Sequence, residues 1–472
     1  MILLGYLSVL AYVSALIVIS DVVLRRFVSK ELCRKVLHIG TCFAYPIARL
    51  FFKDSFLHFA ILCALFVIVT VIMYKMHLMK TVDGRERSYP GIVYYALSLL
   101  LLSLFCLIDG QSGDIFFIAM LALSFGDGFA TLVGTYFPTV TIYRHKTLGG
   151  FLACTTFTFV SGALYQVLTE WILDWYELLL IALLAAVVEL VDFGLDNMAI
   201  PLSVFFASLG CLYLEGFTAS LGIGLAVFTV AFFSRLIAYY GALLAAFLGA
   251  LFFFAYGGWG IGFVLFCYAV MVSVSLVSKL LKNDISDVVK KTKGKDIVEI
   301  VANGFWGIVS AALFLITKNE TFFAISLMVV SAGFVDSLAS DIGTLSKKTP
   351  FDPFRRKRVS RGVSGGMTLL GSMASLIGAF VFAIAIVWIV EWDIILLVPI
   401  ALVLYAGSLI DTLLGSLVQV KYQCPICQKT TEKEMHCSVR TIKVGGVSYI
   451  NNDTVNILSN TAVFVLSLLF LL

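Results

Sequence analysis

The sequence predicts an all-α, polytopic integral membrane protein, with about sixteen transmembrane helices arranged in two halves. Three observations carry that reading. Hydrophobic residues make up 61% of the 472 residues and charged residues 13%, with a mean hydropathy of +1.02. A soluble domain of this length could not bury so much apolar surface. Apolar windows near the ~20 residues that a bilayer-crossing helix needs recur along the whole chain. The basic residues fall into every second loop between those windows.

The windows lie at roughly 1–20, 37–52, 56–74, 91–108, 114–135, 148–168, 176–191, 199–214, 217–234, 236–255, 258–278, 299–317, 321–343, 363–391, 394–420 and 454–472. The first lacks a basic leader and a small-residue cleavage site, so it reads as a retained helix and not a signal peptide. With the N-terminus outside, the cytoplasmic loops collect all of the 33 Lys and Arg except Arg49, Lys53 and Lys318. The positive-inside rule chooses that orientation. The opposite loops carry acids, among them Asp109, Asp114, Asp174, Glu177, Glu320 and Asp393. The ten cysteines are scattered, several inside apolar windows (Cys63, Cys106, Cys154, Cys211, Cys267), which argues against a disulfide framework.

The chain divides into residues 1–215, a connecting helix region at 216–235, and residues 236–472. A common grammar runs through both halves. Asp127-x-x-Ala130-x-x-x-Gly134 matches Asp336-x-x-Ala339-x-x-x-Gly343. A basic loop follows each, then a glycine pair: Lys146-Thr147-Leu148-Gly149-Gly150 in the first half, Arg361-Gly362-Val363-Ser364-Gly365-Gly366 in the second. About forty residues further on come Glu189 with Asp196 and Asn197, or Asp411.

This grammar suits phosphate chemistry. Charge at membrane depth costs a few kcal/mol or more, so clustered charge there marks a functional site. Asp127 and Asp336, and with them Glu189, Asp196, Asp341, Asp411 and Asp453, are candidate Mg²⁺ ligands, since Mg²⁺ takes one or two carboxylates plus phosphate oxygens. Glycine pairs at helix starts present free N–H groups to an anion, and Lys146 or Arg361 supplies a cation beside them. Arg34, Lys35 and Asn197 add candidate nucleotide or phosphate contacts, and His38 a candidate base. Small residues four apart also serve plain helix packing, and basic residues at helix ends also set topology. Asp336 and Asp341 stand about 140° apart around a regular helix, so both serve one metal only if the helix ends or unwinds near Ser340 or Asp341 faces a partner such as Asp411 or Asn303; the expected metal pair is Asp336 with Asp411, and Asp341 a supporting ligand or cap.

Arg34-Lys35-x-x-His38, Gly126-Asp127-Gly128-x-Ala130-x-x-x-Gly134, Lys146-Thr147-Leu148-Gly149-Gly150 and Glu189…Asp196-Asn197…Pro201-Leu202 resemble the CTP-dependent polyprenol kinase family, which includes phytol kinase and dolichol kinase. That likeness spans about residues 20–215. Residues 236–472 resemble a second membrane family, to which plant phytyl-phosphate kinase belongs. The matching pieces are Ala302-Asn303-Gly304, Val335-Asp336-Ser337-Leu338-Ala339-Ser340-Asp341, Gly362-Val363-Ser364-Gly365-Gly366, Asp411-Thr412-Leu413-Leu414-Gly415 and Asn451-Asn452-Asp453. Together the resemblances imply a fusion of consecutive enzymes. The first would convert an isoprenoid alcohol to its monophosphate with CTP and Mg²⁺, and the second would make the diphosphate. Membrane lipids, the prenol and its monophosphate, and a nucleoside triphosphate are the implied partners; nucleic acid is not.

Between the last two windows, the segment 421–453 holds Cys424-Pro425-Ile426-Cys427 and, nine residues on, His436-Cys437. This resembles half of a zinc ribbon, with Zn²⁺ the candidate ion. Neighbouring His436 and Cys437 are expected to supply one ligand between them. Two other function classes fit the sequence: a CDP-diacylglycerol-synthase-like cytidylyltransferase, which also uses CTP and Mg²⁺, and a secondary transporter, given two similar halves with glycine-rich helices.

Overall fold

The computed structural model describes residues 2–20, 24–53, 55–75, 91–109, 112–137, 139–169, 172–191, 195–234, 239–281, 297–360 and 363–471. The protein is an all-α, multi-pass integral membrane protein. Among the described residues ten helices are long and apolar enough to cross a bilayer, and three shorter apolar helices accompany them. The chain forms two compact units, Met1–Leu221 and Gly222–Leu472, which divide within a single helix.

Unit 1 contains α1 (Ile2–Val18), α2 (Lys30–Thr41), α3 (Ala44–Phe52), α4 (Phe56–Lys75), α5 (Gly91–Asp109) and α6 (Gly113–Leu121). A π-helical turn, Ala122–Asp127, joins α6 to α7 (Gly128–Tyr136). A short hairpin of β1 (Thr141–Tyr143) and β2 (Lys146–Thr147) precedes α8 (Leu148–Leu168), α9 (Trp175–Val191) and α10 (Asp196–Tyr213). The dividing helix is α11 (Phe217–Ser234).

Unit 2 contains α12 (Tyr239–Leu281), α13 (Ile297–Thr317), α14 (Glu320–Gly343), a hairpin of β3 (Phe351–Asp352) and β4 (Lys357–Arg358), α15 (Leu369–Ile389) and α16 (Leu397–Leu417). A small β region follows: β5 (Lys421–Gln423), β6 (Thr430–Thr431), β7 (Met435–His436), β8 (Val439–Arg440) and β9 (Ile442–Gly445). Strand β5 lies between β6 and β9, and β7 pairs with β8. Helix α17 (Asn452–Leu471) closes the unit.

Two expected spans are built differently from their windows. The window 37–52 becomes two short helices, α2 and α3, because its first part belongs to an amphipathic helix that starts upstream at Lys30 and is capped by Ser29, whose Oγ accepts the Leu32 N–H at 3.3 Å. The windows 236–255 and 258–278 form α12, broken at Gly257 with φ 60° and ψ −143°, a conformation open to glycine and scarcely to other residues. Arg49, an exception to the positive-inside pattern, has its charge matched within the fold: its Nη1 donates to Asp114 Oδ1 at 2.6 Å and to Tyr165 Oη at 3.1 Å.

The helix of each unit that carries the first motif aspartate is also its most enclosed span. Gly113–Tyr136 is 78% buried and Glu320–Gly343 is 61%, against 44% or less for the other eight. Around each, the chain builds the same device. Thr147 caps α8 by accepting the Gly150 N–H at 3.2 Å, and Thr368 caps α15 by accepting the Gly371 N–H at 3.1 Å. A Cβ on Gly150 would meet the Ala130 carbonyl oxygen at 3.0 Å and the Gly134 Cα at 3.7 Å; on Gly371 it would meet Ala339 O at 2.8 Å and Gly343 Cα at 3.1 Å. Both helices then run for 21 residues. The two units therefore contain one repeated element, Asp-x-x-Ala-x-x-x-Gly packed on Thr-Leu-x-Gly.

The register of this repeat differs from the one expected from the glycine pairs. Thr147-Leu148-Gly149-Gly150 corresponds to Thr368-Leu369-Leu370-Gly371, and Ser364-Gly365-Gly366 belongs to a separate turn that unit 1 lacks at this position. In both units the stripe of small residues works as helix packing, because a bulkier residue would separate the backbones. Gly371→Ala should therefore destabilise unit 2 by about 1–3 kcal/mol, and Gly150→Ala unit 1 by less, since its Cβ needs only a few tenths of an ångström of relief. Thermal unfolding of the purified variants in detergent checks the order.

Candidate functional site

In unit 1 the sequence-predicted residues converge. Helix α2 turns Lys35 and His38, three apart and so on one face, toward the π-helical turn. That turn ends at Asp127, and π turns are frequent at functional sites. Lys35 Nζ donates to Asp127 Oδ2 at 2.7 Å and to the Asp127 carbonyl at 3.3 Å. His38 Nε2 lies 3.0 Å from the Leu123 carbonyl and 3.5 Å from Asp127 Oδ2. A carbonyl only accepts, so Nε2 carries the proton and Nδ1 is the basic nitrogen of the neutral ring. Tyr95 packs edge-on against the imidazole with ring centres 4.9 Å apart, and its hydroxyl meets Thr41 Oγ1 at 2.9 Å.

A second group adjoins the first. Lys146, on β2, pairs with Glu189 near the end of α9 and lies 3.8 Å from Asp196 Oδ2 at the start of α10. Burial alone would lower the Lys146 ammonium, but Glu189 and Asp196 outweigh it and hold the group above the ordinary lysine range. Asp127 is within electrostatic reach of Lys146, and Glu189 of Asp127 and Lys35. Arg34 acts on His38 in the same way. Lys35, Asp127 and Glu189 are each 6% exposed or less. The result is a cluster in which acids and bases alternate, buried at Lys35, Asp127 and Glu189 and partly exposed at Lys146 and Asp196, about 20 Å along α6–α7 from the Arg49–Asp114 pair at the opposite end.

Three expected roles change. Gly149 and Gly150 do not present open N–H groups: the Gly149 N–H donates to Thr139 Oγ1 at 2.6 Å and that of Gly150 to Thr147. Asn197 spends its amide on holding α10 to α5, with Nδ2 donating to the Gly91 carbonyl at 2.8 Å. Lys146 faces the carboxylates, where an incoming phosphate or metal would have to compete with it.

In unit 2, α14 runs unbroken to Gly343, so Asp336 and Asp341 point to different faces. Asp336 Oδ1 accepts from Ser408 Oγ at 3.4 Å, and Asp411, one turn beyond Ser408 on α16, is within electrostatic reach of Asp336. Ser459 of α17 donates to Asp411 Oδ2 at 3.4 Å. Asn460, the next residue, donates to Asn303 Oδ1 at 3.2 Å, and Asn303 lies against Gly333 of α14. Asp453 occupies the first turn of α17, and the partner of Asp411 on that helix is Ser459.

The glycine turn lies at the C-terminal end of the Asp411 helix. Gly365 has φ 86°, and a Cβ there would lie 2.5 Å from the Ser416 Cα. Gly366 sits against Pro350 and Val359. Asp352 locks the base of this region, accepting from Ser416 Oγ at 2.7 Å and from the N–H groups of Phe354 and Arg355 at 3.1 and 3.0 Å. Arg361 lies outside the described residues.

Sequence reasoning missed Glu432. Its Oε1 accepts from the Ser364 N–H at 3.2 Å and from the Ser364 hydroxyl, and it is a third acid within reach of Asp411. Its only signal in the sequence was its place between Cys427 and His436. Those residues depart from expectation as well: one ligand atom each of Cys424, Cys427, His436 and Cys437 lie within 4.8 Å of one another, so four donors converge where three were expected. A left-handed turn at Cys437 and Ser438, φ 49° and 60°, folds the neighbouring side chains onto one point.

A family model described as integral membrane protein DUF92 matches residues 222–464, over half of the chain, and its match opens at the first residue of unit 2. The chain belongs to the DUF92 family. No curated protein and no solved structure matches it. The DUF92 region encloses Asp336, Asp411, the glycine turn and the four-donor cluster, and the Lys35–His38–Asp127 cluster lies before it.

Proposed function

We propose that the protein is a bifunctional isoprenoid kinase: unit 1 transfers a phosphoryl group from CTP to an isoprenoid alcohol, and unit 2 adds a second phosphoryl group to the monophosphate. The observation that carries this reading is the repeat. Each unit sets an aspartate on its most enclosed span, packs the following Gly on a Thr-capped helix, and brings a second acid, Glu189 or Asp411, to it from the next helix. Two related acid pairs in one chain suit two consecutive phosphoryl transfers, which need positioning and charge neutralisation more than covalent chemistry. The resemblance of the motifs to polyprenol kinases and to the phytyl-phosphate kinase family supports the same assignment.

In unit 1, Asp127 and Glu189 suit Mg²⁺, and Lys35 and Lys146 suit the phosphates that would displace their present carboxylate partners. His38, with Nδ1 basic and Nε2 tied to Leu123, is suited to take the proton of the attacking hydroxyl. In unit 2, Asp336 and Asp411 suit Mg²⁺; the Ser364 and Gly366 N–H groups of the glycine turn already donate to Glu432 Oε1 and the Val363 carbonyl, which a phosphate bound there would have to displace. The positive-inside distribution supports a cytoplasmic side for these sites, where nucleotide is available and a prenol hydroxyl would reach the interface laterally. His38→Ala should lower kcat for monophosphate formation by about 10²–10⁴-fold with little change in KM for CTP.

The test is direct. Purified protein with Mg²⁺, a single nucleotide in each reaction and a panel of prenols should yield prenyl monophosphate and then diphosphate, seen by mass spectrometry of the lipid. A cytidylylated lipid with released pyrophosphate would favour the cytidylyltransferase, and prenol-independent solute uptake into vesicles lacking CTP the transporter.

A further inference from the structure

We propose that Cys424, Cys427, His436 and Cys437 hold one structural Zn²⁺ with three sulfurs and one nitrogen, and that this ion fixes the loop whose Glu432 engages Ser364 of the glycine turn. The proposal stands apart from the kinase reading, because it concerns what holds this loop whatever reaction unit 2 performs.

The geometry fits a tetrahedral ion. Zn–S bonds of about 2.3 Å and Zn–N bonds of about 2.05 Å put neighbouring ligand atoms about 3.6 Å apart. Cys427 Sγ and Cys437 Sγ lie 3.4 and 3.2 Å from His436 Nδ1, and the whole set spans no more than 4.8 Å. Thiolate and imidazole together select zinc over the hard cations.

The backbone points the same way. The turn Cys424-Pro425-Ile426-Cys427 closes through the Gln428 N–H on the Cys424 carbonyl at 2.9 Å, with Gln428 at φ 56°. The β7–β8 hairpin turns through Cys437 and Ser438, both left-handed, where the favoured residues are Asn, Asp and Gly. Three non-glycine residues in that region cost free energy that something must offset. The strands here are two to four residues long, Cys427 and Cys437 are exposed, and the residues buried between Val420 and Thr441 are few and mostly polar, so apolar burial offsets little of it. A bound ion supplies folding free energy to such regions outright.

The ion also explains how Glu432 is held against the glycine turn. It sits between the ligands Cys427 and His436, so both ends of its segment are anchored. Residue 431 beside it is buried and pairs with Tyr422 of β5. Held there, the Glu432 carboxylate takes both donors of Ser364.

Elemental analysis of the full chain in detergent should find about one zinc per molecule, and X-ray absorption a shell of three sulfurs and one nitrogen. Cys427→Ser and His436→Ala should lose the metal, and Glu432→Gln should keep it. Stripping the wild-type ion with a chelator should raise hydrogen exchange across residues 421–447 and at 363–366 together. Zinc below a tenth of an equivalent from zinc-supplemented cells, an oxygen-rich shell, or a Cys427–Cys437 disulfide in the metal-free protein would overturn the site. Metal loss that leaves exchange at 363–366 unchanged would overturn the link to Ser364.

Discussion

Asp127→Asn should abolish monophosphate formation, by at least about 10²–10³-fold, while added prenyl monophosphate is still converted to diphosphate at the wild-type rate. The reason lies in what surrounds the carboxylate. It takes Lys35 at 2.7 Å and His38 at 3.5 Å, with Lys146 and Glu189 in reach. An amide keeps the shape and one acceptor but drops the charge on which metal binding depends. It also leaves the Lys35 ammonium buried without a counter-charge, and breaking such a pair costs about 3–5 kcal/mol. Fold and chemistry are separable: Lys35→Met combined with Asp127→Asn removes both charges and should recover thermal stability without recovering activity. Loss of both activities in a folded Asp127→Asn protein would rule out two independent sites.

The all-α membrane character was legible in the sequence, and so was the position of Asp127 and Asp336 inside apolar windows, because each rests on a local property. Hydropathy reports burial or lipid contact, and a carboxylate inside an apolar window is costly wherever the window folds. What was hidden depends on where distant segments meet. Gly149, Gly150 and Lys146 read as a phosphate cradle from their spacing. Yet the N–H groups were already taken by threonines, one of them Thr139, ten residues upstream of its partner. The repeat register was misread for a related reason: Gly365 and Gly366 look like Gly149 and Gly150, whereas the packing equivalent is Thr368-Leu369-Leu370-Gly371. Glu432 and Ser364 are 68 residues apart, and no spacing rule joins them. The His436–Cys437 pair defeated the rule that adjacent side chains diverge, because that rule assumes negative φ, and Cys437 has φ 49°.

Asp336→Asn and Asp411→Asn should each eliminate diphosphate formation and leave monophosphate accumulating, whereas Asp341→Asn should retain most of the output. The continuous α14 decides between them. Its last turn runs through Gly343, so Asp341 is about 140° around the helix from Asp336. Asp336 faces α16, where Ser408 reaches it at 3.4 Å and Asp411 stands one turn further on. Mg²⁺ needs one or two carboxylates and fills its octahedron with water and phosphate oxygens, so this pair suffices. Two carboxyl groups facing one another repel or share a proton until a cation joins them. Neutralising one should therefore leave the metal-free protein as stable as wild type or more so, even as activity disappears. A pair kept for structure would show the reverse, with lower thermal stability and activity spared in proportion to the folded fraction. Near-wild-type diphosphate output from Asp411→Asn alongside loss in Asp341→Asn would move the metal to the other face of α14, and the pairing of α14 with α16 would then serve packing alone.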